Sequence, residues 1–225
     1  MSIPREVLAK IRRIEIRTSR RANAMLAGTW HSAFKGRGIE FEEVLVPFDD
    51  AGGNPKFREF SPSGKVPTLV DGKLTIWESL AILEYLADRF PGKPFWPQDI
   101  AARAMARAVA NEMHGGFGGL RSECPMNMRR EIRAIDVSDA VRKDVARIEK
   151  LWSDCLEASG GPFLFGSFTN ADAMFAPVVN RLEKYALSDH AAVTAYTKAM
   201  KALPAWIEWE AAGTAEPWIV PADEA

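Results

Sequence analysis

Apolar and polar positions change rhythm twice along this chain. IEFEEVLV (39–46) mixes alternation with β-branched residues and predicts a strand. TLVDGKLTI (68–76) is two short apolar runs around Asp71-Gly72. A two-residue Asp-Gly loop supplies the positive φ angles of a type I′ turn, so this segment predicts an antiparallel hairpin. The period then lengthens: in SLAILEYLADRF (79–90), Leu80, Leu83, Leu86 and Ala87 fall on one face of a helix. PGKPFWPQD (91–99) holds three prolines and cannot prolong it.

Beyond this link every patterned segment is helical. IAARAMARAVANEMHGGFGGLRSE (100–123) is amphipathic but carries glycines at 115, 116, 118 and 119. Each costs about 1 kcal/mol against alanine in a helix interior. Either close backbone packing or a cleft compensates, or the helix bends or ends there. Residues 138–159, 169–187, 190–203 and 204–213 complete the helical set. Strands with a helix, then helices alone, predict two packed units of different class. The mixed α/β unit spans 1–90 and the all-helical unit 99–225.

Composition narrows the function classes. A chain of 225 residues, 47% apolar and 26% charged, can bury a sizeable core. A formal net charge of −1 argues against a nucleic-acid or membrane-surface partner. No apolar run reaches the roughly 18 residues a span needs. The basic N-terminus lacks a secretory apolar centre, and Glu6 and Glu15 interrupt a transit-peptide pattern, so a cytoplasmic location is expected. Cys124 and Cys155 make no disulfide framework, and His31, His114 and His190 form no ligand pair, so no metal site is expected.

The candidate chemistry sits in GKVPTLVDGKLTIWES (64–79). Pro67 cannot donate to a ladder, which marks it as a strand-entry or edge residue. A cis bond before it would turn Val66 outward, its N–H and C=O free to pair with an extended peptide. Trp77-Glu78-Ser79 ends the hairpin where a helix begins. The free N–H groups there attract a carboxylate, Ser79 adds a hydroxyl, and Glu78 can accept an ammonium. Locally, each residue is equally a cap, a solvated carboxylate or a structural proline.

At these residues the chain resembles the glutathione transferase superfamily: SPSGKVPTLVDGKLTIWESLAILEYLADRFP (61–91) is similar to that family's cis-proline, hairpin and Glu-Ser block. The resemblance extends from residue 38 to about 213. It implies a thioredoxin-like α/β N-terminal domain followed by an all-α helical C-terminal domain. It also implies glutathione as co-substrate, a small electrophile as second substrate, and a symmetric homodimer. By motif match, Val66 would hold the cysteinyl portion, Pro67 would be cis, Glu78 and Ser79 would hold the γ-glutamyl end, and Lys65 would add a positive charge. Met113, Phe117 and Cys124 are candidates for an apolar half-site. Thr169 and Asp172 have the S/T-x-x-D spacing of a capping box, worth about 1–2 kcal/mol. The implied activity is transfer of the glutathione thiolate. The alternatives are isomerisation of a maleyl compound and a non-catalytic binding module.

The N-terminal third departs from the pattern. The family's thiol-activating residue lies where the first helix starts, here near Asn23 and Ala24, which carry no hydroxyl or thiol. Of the nearest hydroxyls, Thr18 and Ser19, Ser19 is the candidate catalytic residue. Arginines at 5, 12, 13, 17, 20 and 21 load a segment that should contain an apolar central strand. A shifted reading frame before about residue 34 would explain this and would leave a poorly fitting first strand. Leu26, Trp30, Ala33 and Phe34 still keep a helical period.

Overall fold

A computed structural model describes residues 14–18, 34, 37–48 and 54–219. Four strands, β1 (Ile14–Thr18), β2 (Phe41–Leu45), β3 (Thr68–Asp71) and β4 (Leu74–Trp77), form one sheet in the order β2-β1-β3-β4. β1 runs parallel to β2 and antiparallel to β3, and β3 and β4 form the hairpin. This mixed sheet is the thioredoxin-like arrangement expected.

The first strand fits well, contrary to the expectation above; Arg17 is its one arginine, and Arg5, Arg12, Arg13, Arg20 and Arg21 lie outside the described residues. It is central in the sheet and alternates: Ile14, Ile16 and Thr18 are buried, while Glu15 and Arg17 lie half-buried on the other face. Those two charges pair at 3.1 Å, and the Arg17 guanidinium lies 5.4 Å from the Phe60 ring centre. Only one face of β1 is packed dry, so only alternate positions need be apolar. No frame change is needed to explain residues 14–18. Of the helical period proposed for 26–34, Phe34 is fully buried against Phe41, and Leu26, Trp30 and Ala33 lie outside the described residues.

The hairpin turn also differs in detail. Asp71 pairs with Leu74 inside the ladder, so the loop is Gly72-Lys73, and only Gly72 has a positive φ, 64°. That is the pattern of a type II′ turn. Asp71 is held in the strand because its side chain accepts from Tyr85 Oη at 2.6 Å and lies 3.5 Å from Arg89.

Helix α1 (Ser79–Arg89) buries Ser79, Ile82, Leu83 and Leu86, so its inner stripe is centred on Ile82 and Leu83, with Leu80 at the margin. After the proline link come α2 (Ile100–Gly115), α3 (Gly118–Glu123), α4 (Asp139–Ser159), α5 (Asn170–Lys184), α6 (Ala191–Lys201) and α7 (Pro204–Thr214). Both readings weighed above apply, to different glycines. Helix α2 ends at Gly115 and Phe117 turns left-handed with φ 58°. A Cβ on Gly119 would lie 2.8 Å from the Ala140 carbonyl carbon, so α3 and α4 touch backbone to backbone there.

Helix α5 is buried from Asn170 to Leu182 and forms the axis of the helical unit. Trp152 of α4 meets Phe175 of α5 edge-on at 5.5 Å and Tyr196 of α6 at 4.6 Å. The capping box is present: Thr169 N–H donates to Asp172 Oδ2 at 2.8 Å and Ala171 N–H donates to Thr169 Oγ1 at 3.3 Å. Asp172 does more than cap. Thr169 Oγ1 donates to its Oδ2 at 3.1 Å, and Leu164 N–H and Tyr196 Oη each donate to its Oδ1 at 3.0 Å. Burial pushes this carboxyl above the usual carboxylate range against the pull of those donors.

The two units meet at the start of α5. Asn170 N–H donates to Phe95 O at 2.8 Å and its side-chain amide to Leu83 O at 3.3 Å. The Arg37 guanidinium lies 4.6 Å from the Phe95 ring centre and 5.3 Å from that of Phe168, and donates to Pro94 O at 3.0 Å. Burial pulls its pKa down to about 10, partly offset by Asp172.

Asp172→Ala would leave several buried donors without an acceptor. The expected loss is about 3 kcal/mol, above the 1–2 kcal/mol of a surface cap. Urea unfolding checks this; a loss below about 1 kcal/mol would mean that water replaces the carboxylate.

Candidate active site

The hairpin delivers two chemically unfinished pieces of backbone to one place. The Val66-Pro67 peptide is cis, and Pro67 is buried at the entry to β3. Among the described residues neither Val66 N–H nor Val66 C=O has a protein partner. The flanking groups are engaged: Lys65 N–H donates to Ser63 Oγ at 3.3 Å and Thr68 Oγ1 to Lys65 O at 3.5 Å.

The second piece is the start of α1. Glu78 occupies the N-cap with φ 67° and ψ 129°, a conformation that L-residues rarely adopt, and its side chain makes no capping bond. Such a backbone costs about 1–3 kcal/mol and persists only when its surroundings over-determine it. Here β4 and α1 fix the chain on both sides. Ser79, the first helical residue, is fully buried, and its hydroxyl has no partner among the described residues. An orphan hydroxyl beside the free N–H groups of a helix start is well disposed toward an anion.

A cavity of about 290 Å³ opens between these pieces and the C-terminal end of α2. Its hairpin side is Lys65, Val66, Pro67 and Glu78; its helical side is Met113, His114, Arg121 and Met174. Arg121 donates to the carbonyls of Met113 and, at 3.0 Å, His114, closing the end of α2. Burial lowers its pKa. His114 Nε2 lies 3.6 Å from Glu78 Oε2, so the wall residue faces the strained carboxylate directly.

Of the residues singled out by sequence, Lys65, Val66, Pro67 and Glu78 line one cavity with Met113, and Ser79 is enclosed just behind Glu78. Phe117 and Cys124 are not part of its lining. Both are buried core residues, because the chain turns them inward after α2 ends, and burial pushes the Cys124 thiol up to about 11. Ser19, Asn23 and Ala24 lie outside the described residues. Thr18 is buried at the end of β1. His114, Arg121 and Met174 were not anticipated; their only signal was proximity to the glycine cluster or to the capping box.

A larger groove of about 720 Å³ lies between α2 and α4, lined by Met105, Val109, Leu151 and Cys155 among others. Its charged groups are satisfied: Arg147 donates to Glu112 at 2.6 and 2.8 Å, and Lys150 to Asp154 at 2.9 Å. Burial raises the Cys155 thiol to about 11, which keeps it from acting as a thiolate. The smaller cavity is therefore the candidate site.

Two family models match the chain: Glutathione S-transferase, N-terminal domain, over residues 30–89, and Glutathione S-transferase, C-terminal domain, over residues 135–212. A zeta-class glutathione S-transferase of Euphorbia esula is 30% identical over 177 residues, covering 75% of this chain and 72% of that protein. Maleylacetoacetate isomerase of Rattus norvegicus is 28% identical, covering 76% of this chain and 80% of that one. The chain spans about two thirds, 66%, of the length of two further plant relatives. A Burkholderia glutathione transferase homologue crystallised with bound glutathione has the same fold, with TM-score 0.67 at 23% identity, over 88% of this chain and 96% of that one.

Glu78→Gly relieves the positive φ but loosens the unfolded chain. The net expectation is unchanged stability or a gain of about 1 kcal/mol. A clear drop in the urea midpoint would mean that the Glu78 side chain contributes more than its backbone costs.

Proposed function

The chain belongs to the glutathione S-transferase superfamily, and from that premise we propose that it binds glutathione in the cavity at Val66 and Glu78 and transfers the thiolate to a small electrophile. The observation that carries the proposal is the pairing, in one place, of an unpartnered Val66 peptide edge with an unpartnered helix start. Val66 N–H and C=O would pair with the cysteinyl residue as one rung of a ladder. Glu78 would accept the γ-glutamyl ammonium. Ser79 and the N–H groups of α1 would hold the adjacent carboxylate. Lys65, exposed at the rim, would add a positive charge for the remaining carboxylate.

This anchoring would direct the sulfur toward the Met113 and Met174 wall, the apolar side of the cavity, where an organic second substrate would rest. The thiolate then attacks the electrophilic carbon; a C–S bond forms and a leaving group departs with its electron pair. Ser19 is proposed as the hydroxyl that stabilises the thiolate. The same family ground supports a homodimer and a cytoplasmic, detoxifying role; light scattering tests the first.

A second reading is favoured by the likeness to maleylacetoacetate isomerase across three quarters of the chain. There the thiolate would add to the double bond of a maleyl compound, the new single bond would rotate, and the thiolate would leave again without net consumption. A third, binding without chemistry, follows from the absent hydroxyl at Asn23 and Ala24.

Retention on immobilised glutathione, turnover of a chromogenic aryl halide and turnover of a maleyl compound separate the three. Retention with aryl transfer is the expected result; retention alone would make the chain a binding module. Glu78→Ala with Ser79→Ala should abolish retention while the circular dichroism spectrum stays unchanged. Undiminished retention would overturn the γ-glutamyl assignment.

A further inference from the structure

His114 is the cavity residue that the proposed chemistry leaves without a task. It ends α2, about one third of its side chain is exposed, and its Nε2 faces Glu78 Oε2 at 3.6 Å. Glu78 is the carboxylate that would receive the ligand's ammonium. An imidazole of the protein and an ammonium of the ligand thus have a claim on one carboxylate. Resting on the glutathione reading, we infer that His114 makes ligand capture at this site depend on pH. Its protonated imidazole competes with the α-ammonium for Glu78, and tripeptide capture strengthens as the imidazole loses its proton.

The surrounding charges favour this direction. From the hairpin side His114 faces Glu78 and, across the cavity, Lys65; from α3 it faces the Arg121 guanidinium, which sits on the His114 carbonyl. Met174 supplies no charge from α5. On α2 itself, Glu112 is taken by Arg147 and Arg107 by Glu84. Glu78 is therefore the one acid among the cavity's described lining, and a second positive charge there must share it. An imidazole is the side chain that makes such sharing depend on pH between about 5.5 and 7.5. The linkage is reciprocal: if a proton on His114 weakens the ligand, bound ligand must expel that proton. The other described histidine, His190, caps α6 by accepting Ala192 N–H at 3.2 Å and lines no part of this cavity.

Titration calorimetry of the full chain with S-methylglutathione, which has no thiol proton to lose, from pH 5.5 to 7.5, tests this. Wild type should bind about five-fold or more tightly at the upper end, the low end of ordinary coupling between two sites. At pH 6, measurements in two buffers of different ionisation enthalpy should reveal proton release on binding. His114→Gln keeps a hydrogen-bond donor but cannot titrate, and should flatten the pH profile and remove the proton release. A pH-independent affinity in wild type, or an undiminished slope in His114→Gln, overturns the inference. Should the variant fail to fold, proton release by the wild type decides alone. If glutathione binds at no pH, the tripeptide reading itself falls.

Discussion

The rest of the structure depends on how one buried carboxylate organises the start of α5. Asp172 accepts from the loop at Leu164, from both donors of Thr169, and from Tyr196 of α6. A carboxylate in so dry a place is stable only because its oxygens are filled. Once filled, it locks three chain segments at fixed angles. The helix start so held then reaches the other unit: Asn170 binds Phe95 O and Leu83 O, and Arg37 stacks between Phe95 and Phe168. Leu83 lies one turn into α1, the helix whose N-cap is Glu78. The position of the candidate site relative to its α2 wall is thus set, at one remove, by Asp172.

The site itself runs against the logic of stability. Glu78 stands at a φ that suits glycine and, among the described residues, Ser79 hides a hydroxyl with no partner and Val66 leaves a peptide edge unpaired. The Glu78 backbone and the buried Ser79 hydroxyl each cost free energy in the empty protein, on the order of 1–3 kcal/mol. Three such features within fourteen residues are hard to attribute to folding alone, since the hairpin could close without them. A ligand with an ammonium, a carboxylate and an amide in sequence would satisfy all three together, the form preorganisation takes when a fold carries the strain in advance.

Much of this was legible in the sequence, and for definable reasons. Residues 64–79 are close in the chain, so local rules for Pro, Asp-Gly and a helix start placed Val66, Pro67, Glu78 and Ser79 together. The Thr169–Asp172 box was legible on the same ground. Contacts made across the fold were not. Nothing near Asp172 in sequence points to Tyr196, and nothing near Glu78 points to His114, because each meeting depends on how helices cross. The misjudged first strand has another cause. Composition over 1–21 counts arginines without regard to face, whereas the alternation of Ile14, Glu15, Ile16 and Arg17 was the informative quantity. Phe117 and Cys124 lie in the core and not in the cavity lining because α2 ends at Gly115 and the chain turns inward, a consequence of packing that spacing alone does not show.

Volume would have chosen the other cavity. The groove between α2 and α4 is more than twice as large, yet its acids and bases have already found one another. A pocket whose polar groups are paired offers a ligand only apolar area, and area is a poor source of specificity. In the smaller cavity not every charge is paired: among the described lining the Lys65 ammonium has no partner and Glu78 meets only the His114 imidazole, at 3.6 Å. Lys65 and the start of α1 suit a ligand bearing more than one carboxylate, provided its one ammonium can displace the imidazole from Glu78. A γ-linked tripeptide with two carboxylates and one ammonium would meet both conditions, so the unpaired polar groups of the cavity, and not its size, support the proposed ligand.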